Sequence, residues 1–238
     1  MPTALITGGA KGIGRALAEK LKKSGYNVVI NYFSSVSAAE KLSENGFFTV
    51  RADVTNASAV DGMFDVIHKK FGKVNLLINN AGIALKQKTF LDVTEEEYDY
   101  LFAVDMKGVF LCTKKAVSDM LSLGGGDVVN VSSVWGVEGA SCEAVYAAAK
   151  GAVIAFTKSL AKELDGTDIC VQAIAPSMVD TDMNAHLSDK DKEDFLSERK
   201  VGKILTPDEV ADITYDLVKS RESGRVTAIE SKENFYSV

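Results

Sequence analysis

The sequence predicts an α/β fold on a largely parallel sheet, and three observations support this. Short apolar runs alternate with longer stretches of helical period, a pattern repeated six times along the chain, as in strand–helix–strand units. The runs VVINY and LLIN are apolar without polar alternation, as expected of strands covered on both faces. Finally, the 238 residues show no second composition regime, no Pro/Gly/Ser linker and no internal repeat, so a single domain is expected over residues 1–238.

Seven strands are expected in order: TALIT (3–7), NVVINY (27–32), FFTVRAD (47–53), NLLINNA (75–81), DVVNVSS (127–133), ICVQAIA (169–175) and RVTAIE (225–230). After the first, Ile13, Leu17 and Leu21 recur at helical spacing and Gly25 supplies a stop. A helix over 56–71 opens on a capping residue, Asn56, and spaces Val60, Phe64 and Ile67 along one face. The helix over 207–219 follows Thr206 as N-cap, with Pro207 at its first position and Glu209 at its third. The stretch 181–203 is polar and charge-rich, HLSDKDKEDFLSERK within it. It reads as a mobile insertion after a strand end, a candidate lid where ligands enter such sheets.

Composition excludes several function classes. Net charge is −6, with no basic run or stripe, so nucleic acid and anionic membrane are not expected partners. The N-terminus MPTALITGGAKGIG does not read as a signal peptide, and no apolar stretch reaches the roughly 20 residues that span a bilayer. Cys112, Cys142 and Cys170 lack metal or redox spacing and are expected as packing residues in a reduced, cytoplasmic protein. The two histidines, His68 and His186, lie far apart, and no metal site is expected.

The first strand runs into TGGAKGIG and then a helix. Gly8, Gly12 and Gly14 permit a tight turn and close backbone approach to a pyrophosphate. The helix beginning near Ile13 offers free N–H groups and the positive end of its dipole. Strand, glycine turn and helix in that order indicate dinucleotide binding. NAD-binding proteins of this type place an acidic residue at the end of the second strand for the ribose 2′-OH. Here that end reads Asn31, Tyr32, Phe33, Ser34, Ser35, with no carboxylate to repel a 2′-phosphate. Lys11 offers it a positive charge and Ser34 or Ser35 a hydroxyl, so NADP(H) is the expected cofactor.

YAAAK, 146–150, admits two readings: an exposed helical pair, or a working Tyr–Lys pair on one helical face. TGGAKGIG (7–14), NNAG (79–82), SSVWG (132–136) and YAAAK occur in that order. Together they resemble the short-chain dehydrogenase/reductase family, a Rossmann fold, closest in flavour to the bacterial 3-oxoacyl-[acyl-carrier-protein] reductases. The resemblance runs from Thr3 to about Met183 and is looser beyond.

The resemblance implies roles. Hydride passes between nicotinamide and a carbonyl carbon while the protein handles the proton. Tyr146 would be the acid/base, its high intrinsic pKa lowered by Lys150 one turn away. Lys150 would also hold the ribose. Ser133, thirteen residues before Tyr146, would orient the substrate oxygen, with Ser132 the less favoured choice. The cofactor would lie against Gly8, Ala10, Lys11, Gly12, Ile13, Gly14, Tyr32, Ser34, Ser35, Asp53, Val54, Asn80, Ala81, Gly82, Tyr146, Lys150, Pro176, Val179 and Thr181. Each has a structural alternative: Ser133 and Asp53 as helix caps, Asn80 as a turn residue.

Some positions depart from the family pattern. The family's fourth catalytic member is an asparagine; here VDMKGVF places Asp105 there. In the family it holds a water that links the lysine to solvent, largely through its main-chain carbonyl. Ser177 stands where the family has glycine, and Gln172 where it has asparagine. The helix at 144–164 carries Ala147, Ala148, Gly151, Ala152 and Ala155, small residues that permit close packing. The family makes dimers and tetramers through this helix and the one near 105–120, so a homo-oligomer is expected.

The expected activity is NADPH-dependent reduction of a small or carrier-bound 3-oxo compound, in the manner of fatty-acid-pathway reductases. The alternatives are dehydrogenation of a sugar or other secondary alcohol, and an NADP-binding regulatory protein with weak turnover.

Overall fold

The computed structural model describes residues 1–185 and 187–238. His186, one of the two histidines weighed for a metal, lies outside the described residues. The chain forms one sheet with helices on both faces. Its strands are β1 (Thr3–Ile6), β2 (Asn27–Tyr32), β3 (Phe48–Arg51), β4 (Leu76–Asn79), β5 (Gly126–Val131), β6 (Ile169–Pro176), β7 (Val226–Ile229) and β8 (Phe235–Ser237). The sheet order is β3-β2-β1-β4-β5-β6-β7-β8. The seven expected strands are all present and parallel. An eighth, β8, adds antiparallel to β7. Its three residues are exposed, so it carries no buried apolar run that would have marked it as a strand.

The helices are α1 (Gly12–Lys23), α2 (Val36–Glu44), α3 (Ala57–Phe71), α4 (Glu95–Phe102), α5 (Gly108–Leu123), α6 (Val134–Glu138), α7 (Ala144–Glu163), α8 (Asp189–Arg199) and α9 (Pro207–Ser220). Side chains alternate across the buried strands. Ile6, Ile30, Ile78 and Ile174 meet Leu17 and Leu21 of α1 and Val210 and Leu217 of α9. On the other face Leu5, Val29, Leu77 and Val128 meet Phe64 and Ile67 of α3 and Cys112 and Met120 of α5. Cys112 and Cys170 are packing residues as expected, whereas Cys142 is exposed at positive φ. The predicted caps form: Asn56 accepts from Ala59 N–H, and Thr206 and Glu209 make a reciprocal capping box. The polar 181–203 segment contains α8, also opened by a capping box, from Ser188 and Asp191.

Two features position the site. A buried polar chain ties strands to helices: Asn79 donates to Thr113 and to Asn130, and Asn130 to Thr157, at 2.8–2.9 Å. Between α4 and α5 the helix widens to a π turn over Ala103–Lys107, with Asp105 buried in it. Such turns often mark functional sites.

α6 and α7 approach so closely that a Cβ at Gly136 would lie 2.6 Å from the Lys150 carbonyl carbon. Gly136→Ala is therefore expected to cost about 1–3 kcal/mol by overpacking, read as a lower urea midpoint at unchanged m-value.

Candidate active site

A cleft of about 900 Å³ opens at the carboxyl ends of the parallel strands, where ligands of open α/β sheets bind. Every expected site residue lines it except Gly14 and Asp105. Gly14 lies behind the loop: a Cβ there would meet the Asn80 amide at 2.5 Å and Gly9 Cα at 2.8 Å, so this glycine lets α1 pack against the sheet. Gly8 has φ +61° and its missing Cβ would sit 2.8 Å from Ala81 Cα. Only glycine suits such a position.

The start of α1 is open. Lys11 at its N-cap makes no side-chain cap and the first turn has no acidic residue, so its N–H groups and dipole face the cleft uncompensated. The loop is pinned from beneath by Asn80, whose amide donates to the carbonyls of Thr7 (3.0 Å) and Gly8 (3.1 Å). The Thr7 hydroxyl accepts from the backbone N–H of Asn80 and of Ala81, each at 3.0 Å. Asn80 thus acts as a structural pin beside the cleft. The sequence alone does not mark Thr7, because a threonine ending a strand carries no signal of its own.

Tyr32, Ser34 and Ser35 line the far arm of the cleft. Lys11, expected to meet a 2′-phosphate, is paired with Asp182 at 2.8 Å, both side chains exposed. A second cation stands nearby: Arg51, paired with Tyr32 in register, donates from Nε to the Phe33 carbonyl at 3.1 Å. Asp53 accepts from the Thr55 N–H and hydroxyl through one oxygen, stabilising the turn before α3, while lining the cleft with Val54.

At the centre, Ser133, Tyr146 and Lys150 meet. Ser133 is the N-cap of α6, accepting from Trp135 N–H at 3.2 Å. The cap role and the cleft position therefore coincide in one residue. Ser132 is committed elsewhere, its hydroxyl donating to the Lys150 carbonyl at 2.8 Å. Lys150 is not an exposed helix lysine: it is 5% exposed, with Nζ 5.6 Å from the centre of the Tyr146 ring and donating to Val131 O at 3.2 Å. Nζ also forms an ion pair with Asp105 Oδ2 at 3.0 Å. Asp105 is fully buried and its other oxygen accepts from Ile83 N–H at 2.8 Å.

These charges oppose one another at Tyr146. Burial raises the phenol above its ordinary value, Lys150 pulls it down, Asp105 pushes it up, and Ser133 lowers it. For Lys150, burial acts to lower the ammonium, but Asp105 and Tyr146 outweigh it and the net direction is upward.

The 181–203 segment borders the cleft through Phe195 and Arg199 of α8. Arg199 bridges Glu138 (2.5 Å) and Glu230 (2.9 Å) and lies over the Trp135 ring, which Phe195 meets edge-on. Residues 195 and 199 share a helix face, but their partners lie far away in sequence, so this cluster was not legible beforehand.

Residues 2–192 match the family model described as short chain dehydrogenase. The chain is 39% identical over 202 residues to 3-oxoacyl-[acyl-carrier-protein] reductase FabG of Staphylococcus aureus, covering 82% of each protein. It is 34% identical to the uncharacterized oxidoreductase YmfI of Bacillus subtilis, covering 93% of each. Among solved structures it is similar to 3-ketoacyl-(acyl-carrier-protein) reductase from Brucella melitensis complexed with NADH, with TM-score 0.90, 30% identity and 96% of each chain covered.

Thr7→Val removes the acceptor of two loop N–H groups while keeping shape. It is expected to cost about 1–3 kcal/mol, measured by denaturant unfolding without ligand.

Proposed function

The chain belongs to the short-chain dehydrogenase family, and on that footing we propose that it is an NADPH-dependent reductase. It converts a carbonyl, a 3-oxoacyl thioester or similar ketone, to a secondary alcohol. The observation that carries the proposal is the convergence of Ser133, Tyr146 and Lys150 in the cleft that also holds the glycine loop and the open start of α1.

The residues fit a dinucleotide. Gly8 and Gly12 line the cleft at positive φ, with Ala81 and Thr181 too close to admit a Cβ freely, the α1 N–H groups suit a pyrophosphate, and the buried hydroxyl of Ser177 lacks a protein partner at the cleft end formed by Pro176, Val179 and Thr181. The bound cofactor would supply the hydride. The protein's own groups do the rest: Ser133 orients and polarises the carbonyl oxygen, Tyr146 gives it a proton through its hydroxyl, and Lys150 stabilises the resulting phenolate and holds the ribose. Residues 181–203, through α8, act as a lid over the substrate end.

The NADP(H) choice rests on the absence of a carboxylate at residues 31–35 and on Lys11 and Arg51 nearby. Asp182 competes with a 2′-phosphate for Lys11, so Asp182→Asn is expected to raise the NADPH-to-NADH ratio of kcat/KM. The rise is on the order of threefold to fivefold, the scale of an exposed ion pair. A fall in that ratio would contradict the assignment of Lys11.

The protein acts as a cytoplasmic homo-oligomer, a dimer or tetramer. The small face of α7 supports this: Ala148 and Ala155 are exposed, while Val145, Ala149 and Val153 take the inward side. Among the described residues no helix is long and apolar enough to cross a membrane. A monomer by light scattering would contradict the oligomer.

NADPH consumption with 3-oxoacyl thioesters and simple ketones tests the activity. Tyr146→Phe is expected to keep NADPH binding and lose at least about 100-fold in turnover, the scale of a general acid's contribution. Full turnover in that variant would refute Tyr146 as proton donor.

A further inference from the structure

Lys150 is buried against a carboxylate that the family pattern does not contain. The Asp105 Oδ2–Lys150 Nζ contact is 3.0 Å, and both groups occupy the space beside Gly82 where a side chain would begin. A Cβ at that glycine would lie 3.0 Å from Oδ2 and 3.1 Å from Nζ. Asp105 is held there by Ile83 N–H and by the π turn that carries it, with no solvent exposure to screen its charge. The groups acting on the Tyr146 hydroxyl come from three elements: Lys150 and Glu143 from α7 and its N-cap, Ser133 from the β5–α6 junction, and Asp105 from the π turn. Lys150 is the only cation among them, and Asp105 is its direct counter-charge.

We infer that Asp105 is a positioning residue that offsets the charge of Lys150, keeping the Tyr146 hydroxyl protonated and extending carbonyl reduction to higher pH. The inference rests on Tyr146 being the proton donor. In the reductive step the carbonyl carbon would accept the hydride that a bound reduced nicotinamide supplies, the C=O π pair would move to oxygen, and that oxygen would take the Tyr146 proton, leaving the phenolate. Reduction therefore needs the phenol and alcohol oxidation needs the phenolate. No residue alters the reaction's equilibrium; Asp105 moves the pH at which each rate rises or falls. With Lys150 still an ammonium, as its contacts with the Val131 carbonyl and Tyr146 favour, the sign follows from charge. A negative group beside the pair disfavours phenolate, so reduction holds below a raised pKa and is lost as pH rises through it.

Asp105→Asn removes the charge but turns an NH₂ toward either Nζ or the Ile83 N–H. Asp105→Ser, which removes the charge without that conflict, is therefore carried alongside. Two readouts are compared with the wild type. The first is the pH profile of kcat/KM for reduction and for alcohol oxidation. The second needs no turnover: tyrosinate absorbance of the cofactor-free protein is titrated, with the matching Tyr146→Phe protein subtracted to isolate one of the seven tyrosines. Both variants are expected to move the alkaline limb of reduction, the acid limb of oxidation and the Tyr146 titration to lower pH, by about one unit. A Tyr146 titration that stays in place or moves upward would overturn the role of Asp105. Undiminished turnover in Tyr146→Phe would instead overturn the donor reading, so the two failures are distinguishable.

Discussion

The buried contact between Lys150 and Asp105 is the constraint around which the active cleft is arranged. An ammonium this deep in the protein is costly without a partner. Lys150 meets that cost with the Asp105 carboxylate and the Val131 carbonyl. Through this ion pair and this hydrogen bond α7, β5 and the π turn are tied to one another. Asp105 in turn holds the backbone after β4 through Ile83 N–H, the same strand end whose Asn80 pins the glycine loop. A single charge pair therefore links the Tyr146 end of the cleft to the glycine-loop end.

The motifs were legible because their residues act over short sequence distances. Gly8 and Gly12 sit at positive φ where the backbone must turn, and that need shows directly as glycine. The parallel strands were legible as apolar runs, since both faces are covered. A structural role and a place in the cleft can coincide: Ser133 is a helix cap and also lines the cleft, because a cap at the end of a strand must lie where the strand ends.

What escaped the sequence was long-range or charge-specific. Arg199 reaches Glu138 and Glu230 across 61 and 31 positions, with no local pattern to announce it. β8 is too short and too exposed to stand out from a loop. The Lys11–Asp182 pair spans 171 positions and shows the expected phosphate cation engaged by the 181–203 segment. Asp105 was visible as a substitution, but its effect depended on whether its side chain or its backbone faced Lys150. Only the fold decides that.

The most direct test of this account is a double-mutant cycle on unfolding free energy in the ligand-free protein, with Asp105→Asn, Lys150→Met and the two combined. If the pair holds the cleft together, each single change leaves a buried group uncompensated. The double variant should then lose less than the sum, with a coupling of about 1–3 kcal/mol. Strict additivity would contradict it, for then the two side chains would be neighbours without being partners.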